Sequence, residues 1–527
     1  MKKFQTSRRV AMIGLAVFLC ALFPMASFAE VSVTQDILLT HYDVNGNRAN
    51  SFYPYDRNTY VYEKRLDFRQ DLTGREGELF GDVVWRTTDD SLVDPETNSI
   101  EELTMTLKES NGEMVLGDYY ASFSDYSVNN LLRGGKFVLG EDSGSHKLIV
   151  IGGADVARWD DLWQNRQEEF ASKKNVWGVR SENKLFDNFL EFNLNYAGLN
   201  DQWNEFISTS SPERVQVLTT DSKINLFPFL SMYGEYATSL VDENDPIEYK
   251  IDQAFKVGSD FKMQAYQART EYSRVGQHFS SISGFAPQDL QALLYDATAY
   301  LPQNVQLVHY IHLDADNINK NKTTTTKQLN PGGRLIFEIP WDVKVELSGD
   351  LRKRYTTDKS VSTDTQTYGI QLGKDFDHWG VSTNYSHADI NDMVTASQER
   401  DQDTIGLNFD GDFEFNEVQF NWNLGEDLQH EHHRIAAKSD ILFNTNGGLR
   451  VVFPSTLTFE SQVSFRDSNY YLNASDSTSN KLLLSLSREI RKDMQMSLSY
   501  DQAGYDFFDG DNNYIERIFR TKLSCKF

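Results

Sequence analysis

Hydrophobic and polar residues alternate along most of this chain. Leu190, Phe192, Leu194 and Tyr196 interleave with Glu191, Asn193 and Asn195. Val418, Phe420, Trp422 and Leu424 interleave with Gln419, Asn421 and Asn423, and Met494, Met496, Leu498 and Tyr500 with Gln495, Ser497, Ser499 and Asp501. A period of two describes a strand with one oily and one wet face. Each run approaches the roughly 9 to 11 residues of a tilted membrane-crossing strand, and aromatics sit near the ends of the oily faces, where an interfacial girdle would place them.

Turn signals punctuate the alternation near Asp187, Pro228, Asp260, Pro302, Pro340, Asp377, Asn416, Pro454 and Lys492, spaced 32 to 42 residues apart. That spacing is one up-and-down hairpin plus one longer loop. The longer polar stretches are 242–245, 276–288, 317–326, 426–433, 467–479 and 507–513. Short turns on one side and long loops on the other describe a transmembrane antiparallel barrel, with periplasmic turns and extracellular loops. About 18 strands follow Asp187. Eight candidates precede it, at 32–39, 59–71, 77–87, 100–108, 114–118, 135–139, 147–152 and 175–185. The expected fold is an all-β, up-and-down barrel of about 22–26 strands, forming one domain over 30–527.

The final stretch, from Tyr514 to Phe527, alternates most cleanly. Phe519, Thr521, Leu523, Cys525 and Phe527 share one face; Ile518, Arg520, Lys522, Ser524 and Lys526 fall mainly on the other. It resembles the C-terminal assembly signature of bacterial outer-membrane β-barrels, whose last strand ends in Phe. The resemblance implies that Phe519, Leu523 and Phe527 form the assembly signal, read by the barrel assembly machinery. The edge strand of a soluble sandwich would show the same alternation, and the other end of the chain separates the two readings. Lys2, Lys3, Arg8 and Arg9 precede the apolar run Val10–Leu22, and Ser27-Phe28-Ala29 offers small residues at the cleavage positions. Residues 1–29 therefore read as a cleaved secretory signal. Val17-Phe18-Leu19-Cys20 lacks the small residue that lipidation would require before Cys20. The mature chain then holds one cysteine, Cys525, and no intramolecular disulfide.

Beyond Glu30 no apolar run approaches the roughly 20 residues of a spanning helix, so a membrane role must come from strands closed into a barrel. Aromatic residues make up 13% of the chain. The formal charge is −26, and −30 once the four basic residues of the leader are removed. Such acidity excludes nucleic acid as a natural partner and suits divalent cations or a cation-preferring lumen. The expected location is the bacterial outer membrane. Expected partners are outer-membrane lipid and lipopolysaccharide, the assembly machinery, and a periplasmic or lumen-housed protein.

Candidate chemistry is sparse. Leu116-Gly117-Asp118 is followed by Ser122, Ser124 and Ser127, then Leu132-Arg133-Gly134-Gly135. This loosely resembles the segment beside the plug of fimbrial usher barrels. The flanking candidates 114–118 and 135–139 look too short for a full crossing. A constriction over 119–135, with Arg133 meeting acidic wall residues, and an ordinary outer loop are both open. Asp155–Lys174, with Trp159 and Trp163, has a rhythm nearer 3.6 and reads as a short helix, as does Gln288–Leu294. Glu63, Arg65, Asp67 and Arg69 share one strand face opposite Tyr60, Tyr62, Leu66 and Phe68, and would pair across strands as a selectivity device or as a plain solvated wall.

His430, His432 and His433 crowd one expected loop with Glu431, a set that can hold a transition metal or can simply be solvated. The stretch around Asp509 and Asp511, like Asp43–Asn47, is oxygen-rich but lacks the full calcium-loop pattern. No nucleophile–base motif, phosphate loop or haem-attachment motif occurs, so no enzyme activity and no cofactor are expected. The leading reading is an outer-membrane channel or translocation barrel for a solute, polymer or protein. An alternative is a sheath resembling the barrels of porin–cytochrome electron conduits. A barrel enzyme and an adhesin are lesser readings.

Overall fold

The computed structural model describes residues 30–527 except 54–55, 73–75, 95–96, 142–143, 157, 163–172, 203–212, 245–246, 283–285, 396–397, 471–475 and 508–509. The expected leader, Trp163 and Asp509 lie outside the described residues.

Twenty-six strands follow one another, with short 3-10 turns at Arg48–Asn50, Trp159–Leu162 and Pro302–Asn304. They are β1 (Glu30–Gly46), β2 (Arg57–Asp71), β3 (Gly77–Thr88), β4 (Asn98–Glu109), β5 (Gly112–Ser122), β6 (Asn129–Leu139), β7 (His146–Asp155), β8 (Lys173–Leu185), β9 (Leu190–Gln202), β10 (Glu213–Phe227), β11 (Leu230–Asn244), β12 (Ile247–Lys262) and β13 (Tyr266–Val275). Then come β14 (Leu290–Leu301), β15 (Val305–Asp316), β16 (Thr326–Ile339), β17 (Val343–Thr356), β18 (Ser362–Asp375), β19 (Trp379–Asp392), β20 (Arg400–Phe415), β21 (Val418–His433), β22 (Lys438–Val452), β23 (Leu457–Asn469), β24 (Ser477–Arg491), β25 (Met494–Phe507) and β26 (Tyr514–Lys526).

Each strand pairs antiparallel with the next, and β26 pairs with β1 from Thr34↔Lys526 to Gly46↔Tyr514. The sheet is closed, so it presents no ordinary outer edge. Phe527 extends the seam: its N–H donates to the Val33 carbonyl (2.8 Å) and its carbonyl accepts from the Val33 N–H (3.0 Å). The last residues therefore join the first and last strands.

Closure gives the alternation its meaning. On β9, Phe192 and Leu194 are exposed while Asn195 is wholly buried. On β26, Phe519 is exposed and Ile518 is buried. The oily face points out and the wet face lines a lumen, the only arrangement that satisfies backbone groups in lipid. Aromatics gather beside the short turns: Phe186, Phe189, Phe227, Trp341, Phe376, Trp379 and Phe415 are exposed, and so is Phe527 at the same end. The turns are tight because their residues accept the left-handed backbone, as at Asn416 (φ 50°) and Glu417 (φ 63°).

Five expectations are corrected. Asp260 lies inside β12, and the turn falls at 263–265. The polar stretch 242–245 is mostly the end of β11. The stretch 426–433 is not a loop: β21 runs through it, so the three histidines are strand residues. Gln288–Leu294 is not helical, because β14 begins at Leu290. The strands flanking the constriction candidate are not short: β5 and β6 have 11 residues each. The stretches 242–245 and 426–433 are polar yet paired, because strands of 10 to 17 residues run on through polar positions at their ends.

Candidate functional site: a hairpin folded off the wall

The β5–β6 hairpin leaves the wall partway up. Pairing of β4 with β5 stops at Thr104↔Gly117, and pairing of β6 with β7 stops at Arg133↔Ala154. Pairing between β5 and β6 continues for five more positions, to Ser122↔Asn129. Above the fork the two backbones pair only with each other, while the Asn130 amide reaches back to Asp155 of β7 (3.1 Å). Glycine makes the fork possible. Gly117 has φ +116°, and a Cβ there would lie 1.8 Å from the Leu103 carbonyl oxygen. Gly134 packs as tightly, 2.1 Å from the Gly152 oxygen by the same measure.

Asp118 sutures the fork. Its carboxylate accepts from the Leu103 N–H (2.8 Å), the Trp159 indole (2.8 Å) and Arg133 Nε (2.9 Å). Arg133 also donates to the Val156 carbonyl and lies over the Trp159 ring at 6.0 Å. The acidic residue that Arg133 meets is thus Asp118, on its own hairpin at the fork. Trp159–Leu162 is a 3-10 turn beside β4.

Beyond Ser122, which ends β5, the tip (123–128) packs across the wet face of β8–β12. Arg180 of β8 donates to the Phe123 carbonyl, to Asn195 (3.0 Å) and to Asp221 (3.1 Å). Ser124 Oγ lies 3.3 Å from Thr219 Oγ1. The Tyr126 N–H donates to Glu235 Oε1 (3.0 Å). Lys256 of β12 bridges Glu235 (3.2 Å) and Asp125, and stands over the Tyr126 ring. Register explains the convergence. Asn195 is the cross-strand partner of both Arg180 and Thr219, and Glu235 of both Asp221 and Lys256. Two polar rows, offset by two residues on β10, meet one loop.

Residues 276–282 of the loop after β13 close over the tip. The Ile282 N–H donates to the Ser127 carbonyl (3.2 Å), and Phe279, wholly buried, meets Tyr126 edge-on. An apolar cluster results inside the lumen, joining Tyr119, Phe123, Val128 and Leu132 to the wall residues Val176, Ala197, Val215, Val217 and Ala254. Burial pushes the Tyr126 hydroxyl well above its ordinary range, and Glu235 adds to the effect, so it stays protonated.

The sequence named Ser122, Ser124, Ser127 and Arg133, but not Arg180, Asp221, Glu235 or Lys256. A usable signal existed. The inward positions of β8–β12 include Val176, Ala197, Leu199, Val215, Val217 and Ala254, where a wet wall would carry polar residues. Apolar residues on both faces mark a covered stretch.

The expected charged face of β2 does point inward, into a hollow of about 620 Å³ shared with β1, β3 and β4. Its charges pair. Arg65 joins Glu102, Arg69 joins Glu78, and Arg86 bridges Glu63 (2.6 Å) and Glu101 (3.1 Å). Ser32 donates to Asp67 (3.3 Å). Exposed pairs of this kind contribute about 0–1 kcal/mol each.

The wall from β19 to β22 is different again. A Cβ on Gly406 would lie 2.3 Å from Asn384 Oδ1, one on Gly425 2.8 Å from Asn408 Oδ1, and one on Gly448 2.3 Å from Asn423 Oδ1. Asparagine amides therefore lie flat over glycines of the next strand, giving a low-relief polar surface, and Asp427 Oδ1 joins them 2.7 Å from the same point on Gly406. Beside it is a hollow of about 520 Å³, lined in part by Asn423, Asn446, Gln462 and Asp501.

The histidines separate. His433 and Glu431 face inward, while His430 and His432 alternate to the other face. Asp43 sits in β1 and pairs with Arg517 (3.0 Å), and Asp511 offers its backbone carbonyl to Asn47 (3.1 Å).

No family model matches the sequence, and comparison with curated proteins gives no match. Among solved structures, the chain is similar to the outer membrane transporter YddB from Escherichia coli (TM-score 0.44, 9% identity, 95% of this chain and 81% of that one). It is similar to the copper transporter OprC (0.43, 10%, 95% and 81%) and to the P pilus usher PapC translocation pore (0.32, 9%, 94% and 99%). At these values the overlaps carry no functional argument. The strand pairing itself establishes the closed barrel.

Proposed function

We propose that this protein is a passage through the bacterial outer membrane, narrowed from within by the β5–β6 hairpin. The observation that carries this reading is the tip 123–128, fastened by Arg180, Glu235 and Lys256 across the lumen face of β8–β12. A circular wall of 26 strands, spaced about 4.8 Å apart and tilted about 40°, would measure roughly 50 Å across. Such an opening must be filled, pinched or occupied. The hairpin and residues 276–282 fill one side. The role is transport, with lipid and lipopolysaccharide around the belt and the barrel assembly machinery closing the seam at Phe527. The purified protein in planar bilayers should give steady, ion-carrying openings. Insertion without conductance would argue against the passage.

A second reading has its own support. The flat Asn–Gly surface of β19–β22 projects little into the lumen. It suits a protein housed inside, as in a conduit sheath. A co-purifying partner that closes the conductance would favour the sheath, whereas open channels from the partner-free barrel favour the passage.

A further inference from the structure

The inner wall carries a cluster of metal-ligating side chains far along the sheet from the hairpin. Glu431 and His433 stand two apart on β21 and share its inward face. Asp440 on β22 is the cross-strand partner of Glu431. His433 Nε2 lies 2.9 Å from Asp440 Oδ2 and 3.5 Å from Glu431 Oε1. The three ligand atoms all fall within 4.8 Å of one another. A tetrahedral zinc ion with bonds of about 2.0–2.1 Å keeps its ligands about 3.3–3.4 Å apart. The two measured separations bracket that edge. The side chains are 13–19% exposed, so paired strands rather than a mobile loop hold them in place. Imidazole with two carboxylates is a donor set for borderline divalent ions, and it leaves a fourth position open to water.

We propose that Glu431, His433 and Asp440 bind a divalent transition-metal ion of the zinc class at the loop end of the lumen wall. Arg400 is the competing cation: its Nε lies 3.0 Å from Glu431 Oε1 and neutralises that carboxylate when metal is absent. The guanidinium is about one-third exposed and can turn into the lumen when metal enters. Lys438, the register partner of His433, adds positive charge nearby. The site therefore exchanges its ion rather than retaining it permanently. His430 and His432 take no part, because strand alternation turns them to the opposite face.

The test is calorimetric titration of zinc chloride into the detergent-solubilised barrel, prepared without a histidine tag. One saturable site per chain is expected. His433→Ala should weaken it at least tenfold, and the double variant His430→Ala, His432→Ala should leave it within twofold. Arg400→Gln should tighten it. Asp440→Asn gives the same reading as His433→Ala should that variant misfold, and heat-modifiable gel migration verifies the barrel in each case. Absence of a saturable site, survival of binding in folded His433→Ala or Asp440→Asn, or its loss in the double variant would overturn the proposal.

Discussion

Two stretches of the same inner wall have opposite surroundings. On β9 and β10, Asn195 and Thr219 are wholly buried, bonded to each other (2.7 Å) and, through Arg180, to the hairpin tip. On β21 and β22, Asn423 and Asn446 line an open hollow. Both pairs come from strands with an oily outer face. The local rule is the same, and what differs is whether another part of the chain lies on top. A covered wall becomes a core, with apolar inward positions and convergent charges. An uncovered wall remains a polar surface shaped by its own side chains.

The largest effect is expected at the fork that creates the cover. Gly117→Val forces a β-branched residue into φ +116° and against the Leu103 carbonyl, which should destabilise the barrel by roughly 3 kcal/mol. Gly152→Ala is the control, since a Cβ there meets nothing within 4 Å. Thermal unfolding read by heat-modifiable migration should separate the two variants. Equal stability would show that the fork does not depend on Gly117.

The outer face should not distinguish the regions. Phe192→Lys on β9 and Leu424→Lys on β21 replace exposed apolar residues, and each should cost about 2 to 4 kcal/mol if near the lipid midplane. A much smaller cost at one of them would mean that its face does not meet lipid.

Inside, the regions should diverge. Lys256→Met leaves Glu235, 3% exposed, without its cation. The expected loss is about 2 kcal/mol, below the usual cost for a fully buried pair because lumen water is near. Asn446→Ala on the open wall should fall within about 0.5 kcal/mol of wild type. Chemical denaturation of both variants would reveal whether the cover stabilises what it touches.

The smallest effect concerns the loops above the cover. Asp289 accepts from Lys322 (2.6 Å) and from the Ile318 N–H (2.8 Å), tying the loop 276–289 to the next one. Burial pushes the Asp289 carboxyl up, but these bonds outweigh it and hold it below its ordinary value. The Lys322 amine is held above its ordinary value, chiefly by its bond to Asp289. A depressed carboxyl contributes above its unfolded value and loses that contribution as pH falls through its folded one. A raised amine contributes below its unfolded value and loses it as pH rises further. The tie should therefore hold between about pH 5 and pH 10 and loosen in acid. Hydrogen exchange at the Ile318 amide, measured across that range, checks it.

Most of the fold was legible because side-chain period and turn chemistry are local. All eight candidates before Asp187 fall within strands, and turns at Asp187, Pro302, Asn416 and Lys492 sit where Asp, Pro, Asn and Lys suggested them. The misreadings share a cause. Residues 426–433 are polar enough for a loop, yet they pair with β20 and β22 beyond the oily belt. The site was half legible. Ser124 and Ser127 stood out as small residues in an interrupted strand pattern. Lys256, 131 positions from Asp125, could be joined to it only through the register of the intervening strands. Asn193 shows the same limit: it reads as a bare lumen residue but donates to Asp221 (2.6 Å) beneath the tip.

The most direct measurement is single-channel conductance after removal of the tip. Residues 123–128 are replaced by Asn-Gly, which closes a two-residue turn between the paired Ser122 and Asn129. Wild type and variant are compared in the same bilayer, with heat-modifiable migration confirming insertion-competent barrels. A larger conductance is expected in the variant. Unchanged conductance from a correctly assembled variant would contradict it, because the hairpin would then lie outside the conducting path.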